Sequence, residues 1–156
     1  MPTMVGARVI RKEDPNLITG RGSFVDDVKL VGTVAMAYVR SSEAHADIVS
    51  IDTAEAAALP GVLGVYTIDD FADFGNVPGI PGMDRPVLAR GKVRFVGEPV
   101  AIVVAESPYV AADAADLVVV DYSPLPAVLT PQAAMAPGAP VLHEAIGGNE
   151  IGRAHV

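Results

Sequence analysis

The stretch KVRFVGEPVAIVVAES, residues 92–107, limits the fold more tightly than any other part of the chain. It reads as a pair of strands broken at Gly97-Glu98-Pro99. Gly97 permits a bend or bulge, and Pro99 restricts Glu98 to extended backbone. Its apolar run VAIVVA (100–105), like LVVV (117–120), falls far short of the roughly 20 residues that a membrane span requires. Both runs therefore belong inside a folded domain, and no membrane span is expected.

The segments around this pair follow the same grammar. TVAMAYVR (33–40) and HADIVSID (45–52) alternate as half-buried strands do, joined by the polar link SSEA. TAEAAALPG (53–61) reads as one or two helical turns, with Thr53 as N-cap and Pro60-Gly61 as the stop. VLGVYTI (62–68) returns as a strand. DFGNVPGIPGMDRP (73–86) has no period and reads as a long surface loop, a kind of segment that often serves a contact. Beyond the strand pair, Ser107 can cap a helix that carries Pro108 at its first position. VVVDYSPLPAVLTP (118–131) is a strand ending on alternating prolines, as suits an edge, and PQAAM (131–135) adds a helical turn. The order strand, strand, helix, strand, loop, strand, helix, strand predicts an α+β fold: a mixed sheet with short helices packed on it.

A chain of 156 residues is long enough for one domain with a genuine core, built here from Val, Ile, Leu and Ala because tryptophan is absent and aromatics are few. With no cysteine, the chain can form no disulfide and bind no iron–sulfur cluster or zinc through thiolate. The N-terminus has no apolar stretch after a basic region, so it does not read as a secretory signal, and a cytoplasmic location is the simplest expectation. The net charge of −8 argues against general nucleic-acid binding. Residues 1–40 carry six basic and four acidic groups, while the remainder carries five and fifteen. A solvated acidic surface is the plainer account of this imbalance. A basic N-terminal arm lying against an acidic partner is the sharper one.

No candidate constellation rises to an active site. GRGSFVDD (20–27) lacks the third glycine and the following helix of a dinucleotide fingerprint. In an extended segment Asp26 and Asp27 would diverge to opposite faces, so a turn leading into a strand explains them better than a shared proton or chelate. His45, His143 and His155 are scattered without metal-site spacing, and His45 suits a structural hydrogen bond at a strand start. A set of Ser23 or Ser50 with His45 and Asp52 has no nucleophile elbow to support it. Glu98 reads as a surface or hydrogen-bonded residue before it reads as an acid or base.

Four strings together resemble a known module: RKEDPNLITGRGSFVDDVKL, YVRSSEAHADIVSIDTAEAAALPGVLGVYT, VRFVGEPVAIVVAES and YVAADAADLVVVDYSPLPAVLTP. They look like the N-terminal α/β-hammerhead domain of the molybdenum hydroxylase large subunit, the family of xanthine dehydrogenase, aldehyde oxidase and aerobic carbon monoxide dehydrogenase. The resemblance runs from Val5 to His143. It implies a hammerhead over residues 1–143 and a C-terminal tail over 144–156, where the likeness fades as in a truncated or frame-changed product. Gly20, Gly22 and Asp26 match the family's turn ahead of a strand, and Gly97 and Pro99 match its bend before the central strand; all are structural positions. Val31 and Ser42-Glu43 depart from the proline and Pro-His usual there. The family's molybdenum–pterin centre and catalytic glutamate lie in later domains, so no catalytic, cofactor-binding or metal residue carries over to this chain. The resemblance also implies partners: the remaining domains of the large subunit, then flavin-binding and iron–sulfur subunits or domains. Two functions follow as expectations: an inactive structural and interaction domain of such an oxidoreductase, or a free-standing module binding a small ligand or a protein.

Overall fold

The computed structural model describes residues 5–6, 8–73, 77 and 85–150. Most of the loop 73–86, and His155, lie outside the described residues. The chain divides into two units, Met1–Thr33 and Val34–Val156.

In the first unit, Pro15 starts a short helix α1 (Asp14–Ile18), since its missing N–H and fixed φ suit a first turn. The chain then turns at Gly20, whose φ of +70° suits glycine. Val25–Asp27 forms a 3₁₀ turn closed by the Asp27 carboxylate, which accepts the Phe24 N–H at 2.9 Å. The expected turn is present, but it does not lead directly into a strand. A second turn intervenes, in which Thr33 donates its N–H and its hydroxyl to the Leu30 carbonyl. No described residue of this unit is buried.

The second unit holds six strands: β1 (Ala35–Arg40), β2 (Ala46–Asp52), β3 (Val62–Tyr66), β4 (Lys92–Val93), β5 (Pro99–Ala105) and β6 (Val119–Pro124). They form two three-stranded sheets, ordered β1-β5-β3 and β4-β2-β6. The architecture is α+β, as expected, but each ladder is antiparallel where the element order predicted a mixed sheet. The reason lies in the crossover. The helix α3 (Pro108–Asp116) joins β5 to β6, and these strands enter different sheets, so the β–α–β order creates no parallel pair. β6 is an edge strand, which explains why its prolines are tolerated.

The strand pair broken at Gly97 is present, as β4 and β5, and β5 is the centre of its sheet. Val103 lies opposite Ala37 on one side and Val65 on the other, and Ala101 lies opposite Val39. The inner face of this sheet is covered by α3 and by α2 (Ala54–Ala58), giving a core of Val39, Ala56, Ala101, Val103, Ala114 and Val118. The small side chains of Ala111 and Ala114 let α3 lie close on the strands. Its N-terminus is capped as expected: Ser107 Oγ accepts the Val110 N–H at 3.2 Å, with Pro108 leading. Thr53 does not cap α2. Its ψ of 0° leaves the extended conformation that capping needs, and the Asp52 carboxylate accepts the Ala54 N–H at 2.9 Å instead. A second core of Ala46, Ala89, Val93 and Val100 lies on the other sheet, and Ile51 and Val120 pack against both cores.

Candidate functional site

Gly97 and Pro99 form the joint between β4 and β5. The Glu98 N–H reaches the Phe95 carbonyl at 3.2 Å, and Gly97, with a φ of +87°, takes the third position of that turn. The joint is tied to the end of β1: Ser41 N–H donates to the Glu98 carbonyl at 2.9 Å, Gly97 N–H to the Ser41 carbonyl at 2.8 Å, and Arg40 Nη1 to the Gly97 carbonyl at 2.9 Å. The turn directs the Glu98 side chain inward. In the first unit, Gly20 sits in a turn and Gly22 lies against Leu17, where an added Cβ would come within 2.8 Å of the leucine Cδ2. Asp26 forms part of the 3₁₀ turn, and its carbonyl accepts from Lys29 Nζ at 3.1 Å.

Around the joint lies a cavity of about 460 Å³, lined by apolar side chains that include Leu88, Phe95, Pro99 and Leu142, together with Arg94, Glu98 and His143. Glu98 is buried and accepts the backbone N–H of Arg94. The Arg94 side chain is only 9% exposed; Nε donates to the Leu142 carbonyl at 3.0 Å, and Nη1 stands 3.9 Å from Glu98 Oε1. Burial holds the Glu98 carboxyl above its ordinary range, against the opposing pull of the Arg94 amide and guanidinium. The cavity wall is braced from the far end of the chain. Asn149 accepts the Leu142 N–H at 3.2 Å and donates to the carbonyls of Ala134 and Pro140, and Glu144 pairs with Lys92.

The other sequence candidates do not assemble. His45 is buried and its Nδ1 meets the Pro126 carbonyl at 2.8 Å, so that nitrogen carries the proton, which is the structural bond expected. Ser50 donates to Asp121 at 2.8 Å across β2 and β6, so it makes no triad with His45. Among the described residues no group of three or more His, Asp or Glu could hold a metal ion. No helix among them is long and apolar enough to cross a membrane.

The opposite face of the sheet β1-β5-β3 is the other conspicuous surface. Met36 and Tyr38 of β1, Ile102 and Val104 of β5, and Gly64 and Tyr66 of β3 lie across it in register. Met36, Tyr38 and Tyr66 are exposed, the Arg40 guanidinium lies 5.0 Å from the Tyr38 ring centre, and Phe71 meets Tyr66 edge-on at 6.5 Å. A sheet face this apolar is ordinarily covered.

Residues 19–126 match the a/b hammerhead domain of aldehyde oxidase and xanthine dehydrogenase. The chain belongs to that family. The chain is 49% identical over 144 residues to the carbon monoxide dehydrogenase large chain of Afipia carboxidovorans, covering 91% of this chain and 18% of that one. It is 42% identical over 142 residues to subunit gamma of the 6-hydroxypseudooxynicotine dehydrogenase complex of Paenarthrobacter nicotinovorans, covering 84% and 18%. The crystal structure of quinoline 2-oxidoreductase from Pseudomonas putida 86 superposes with a TM-score of 0.81 at 43% identity, covering 96% of this chain and 20% of that one. The chain thus spans about a fifth of the length of the relatives it matches. Sequence reasoning singled out Gly97, Glu98 and Pro99 of the hammerhead but passed over Arg94. The spacing of Arg94 and Glu98, four apart across a glycine turn, was the available signal.

Proposed function

We propose that this hammerhead domain is a structural and interaction part of a molybdenum-dependent oxidoreductase large subunit and carries no catalytic residue of its own. In this reading it occupies residues 1–143 with 144–156 as a tail, and Gly20, Gly22, Asp26, Gly97 and Pro99 serve the backbone and not the chemistry. The partners are the remaining domains of the large subunit, followed by flavin and iron–sulfur components, in the cytoplasm. The observation that carries the reading is the apolar outer face of this sheet, on which Met36, Tyr38 and Tyr66 are exposed beside the half-buried Ile102 and Val104, in a chain that covers 18% of the carbon monoxide dehydrogenase large chain. Its occupant is the polypeptide that makes up the rest of such a subunit.

The described residues do not fit a molybdenum–pterin group. They offer no metal-ligand cluster, and the one buried guanidinium in the cavity already faces the Glu98 carboxylate, which opposes a phosphate-bearing ligand. No chemical step is therefore assigned to this chain.

The uncovered face gives an expected result. The purified chain associates as its concentration rises, and replacing Met36 and Tyr38 together by lysine suppresses association while leaving the circular dichroism spectrum unchanged. Sedimentation velocity reads both. A chain that stays monomeric and binds no hydrophobic dye contradicts the assignment of this face.

A further inference from the structure

We propose that the open edge of β1 is a pairing surface for a second copy of this chain: the Ala35–Arg40 strands of two molecules join antiparallel about a twofold axis and make one continuous sheet of the two. The inference does not rest on the docking role of the outer face, which an edge-paired copy leaves open. It begins from where the backbone of β1 points. Just past β1, Ser41 bonds through both its N–H and its carbonyl to the Gly97-Glu98 joint that leads into β5. Just past β5, the Glu106 N–H turns the other way, to the Gly61 carbonyl ahead of β3. Backbone groups of an extended strand alternate between its two edges. Counting back from Ser41, Val39, Ala37 and Ala35 face β5. Counting back from Glu106, their register partners Ala105, Val103 and Ala101 face β1. The two ends agree. The N–H and carbonyl groups of Met36, Tyr38 and Arg40 therefore point away from the sheet, and among the described residues β1 has no ladder on that side.

Open edges are ordinarily guarded, because their unpaired groups are a template for another strand. The other edges of the two sheets are guarded here. β4 is two residues long and carries Lys92, β3 has Gly64 beside an irregular register at Val62/Gly64, and β6 carries Asp121 and ends on Pro124. AMAYVR has no proline, no glycine and a single charge, at its last residue. The register shift at Val39/Arg40 places the extra residue, Val100, on β5, so β1 itself runs unbroken. Its outward residues Met36 and Tyr38 are exposed. The edge also fits its own copy. A twofold axis through Tyr38 sets that residue opposite its counterpart and Met36 opposite the partner's Arg40, each pair meeting through outward N–H and carbonyl groups. The tyrosines then form an aromatic cross-strand pair. The two Arg40 positions stand roughly 14 Å apart, the length from Met36 to Arg40 at about 3.4 Å per residue, which exceeds the ~8 Å screening length at physiological salt. A parallel copy in register would instead stack Arg40 beside Arg40.

The test follows amide hydrogen exchange of the full chain by NMR at low and high concentration, with sedimentation velocity on the same samples. Edge pairing predicts that the Met36, Tyr38 and Arg40 amides exchange freely in the monomer and slow by about tenfold or more as the dimer forms, while Ala37 and Val39 are protected in both. Met36→Pro removes an outward donor and leaves the ladder to β5 in place, as proline on an edge strand does. It should weaken the dimer by about tenfold or more, whereas Met36→Val, which keeps the N–H, should not. Protected Ala37 and Val39 amides in the proline variant show that β1 is still formed; if they are lost, the exchange pattern of the unchanged chain decides. A chain that stays monomeric overturns the proposal and leaves the edge to a different polypeptide. Association that leaves the Met36, Tyr38 and Arg40 amides fast overturns it too, assigns the contact to the outer face and lets the docking role stand. So does equal weakening by Met36→Val and Met36→Pro.

Discussion

Val103→Ala is expected to lower the unfolding free energy by about 2–3 kcal/mol, the sum of lost methyl burial and the cavity left behind. Val103 is fully buried on β5, the central strand, between the ladders to β1 and β3 and beneath α3. Its neighbours Ala101 and Ala114 are too small to move into the space, so relaxation recovers little. Val104→Ala, one residue along the same strand but on the outer face, should cost well under half as much. Urea denaturation of the two variants reads the difference. Equal losses would mean that the sheet is not one-sided as described.

Arg94→Met is expected to destabilise the fold by about 1–2 kcal/mol once Glu98 is ionised, because it removes the Nε bond to the Leu142 carbonyl and the cation that faces the Glu98 carboxyl. The loss should depend on pH. Burial already raises the Glu98 carboxyl above its ordinary range, so the folded state holds that proton more tightly than the unfolded chain does. Stability from this group is therefore fullest below the ordinary carboxylate range and is lost as pH rises through the folded value. Removing Arg94 raises that value further. The gap between parent and variant should then be small in acid and widen toward neutral pH, and Arg94→Met with Glu98→Gln should recover part of it. Denaturation across pH checks this; a gap that narrows with rising pH contradicts it.

Much of the fold was legible because local rules and tertiary packing agree in this chain. Ser107-Pro108 caps and starts α3 as such a pair does elsewhere, and Gly97 before Pro99 breaks the strand pair where the turn falls. The likeness of four strings to the hammerhead module agrees with the family match over residues 19–126. Sheet membership was not legible. Alternation shows that a strand has a buried face but not which sheet that face belongs to, so β5 and β6 looked like parts of one mixed sheet. The cap of α2 was misplaced by one residue because Asp52 and Thr53 are both good cap residues, and only the backbone angles choose between them. The cavity was hidden for a different reason. Arg94 and Glu98 meet across the local turn, but Leu142 reaches Arg94 only after the C-terminal segment folds back, and no short motif reports a contact across about fifty residues.

The most direct test of the central claim replaces the matching segment of the Afipia carboxidovorans carbon monoxide dehydrogenase large chain with this chain. Molybdenum content and the rate of carbon monoxide oxidation are then measured in the assembled enzyme. If the hammerhead is a docking scaffold without catalytic residues, the chimera should retain molybdenum and its preference for carbon monoxide, with a rate within about tenfold of the parent. A chimera that assembles and holds its metal but loses that reaction, or shifts to a different substrate, would contradict the account by placing catalytic determinants in this domain.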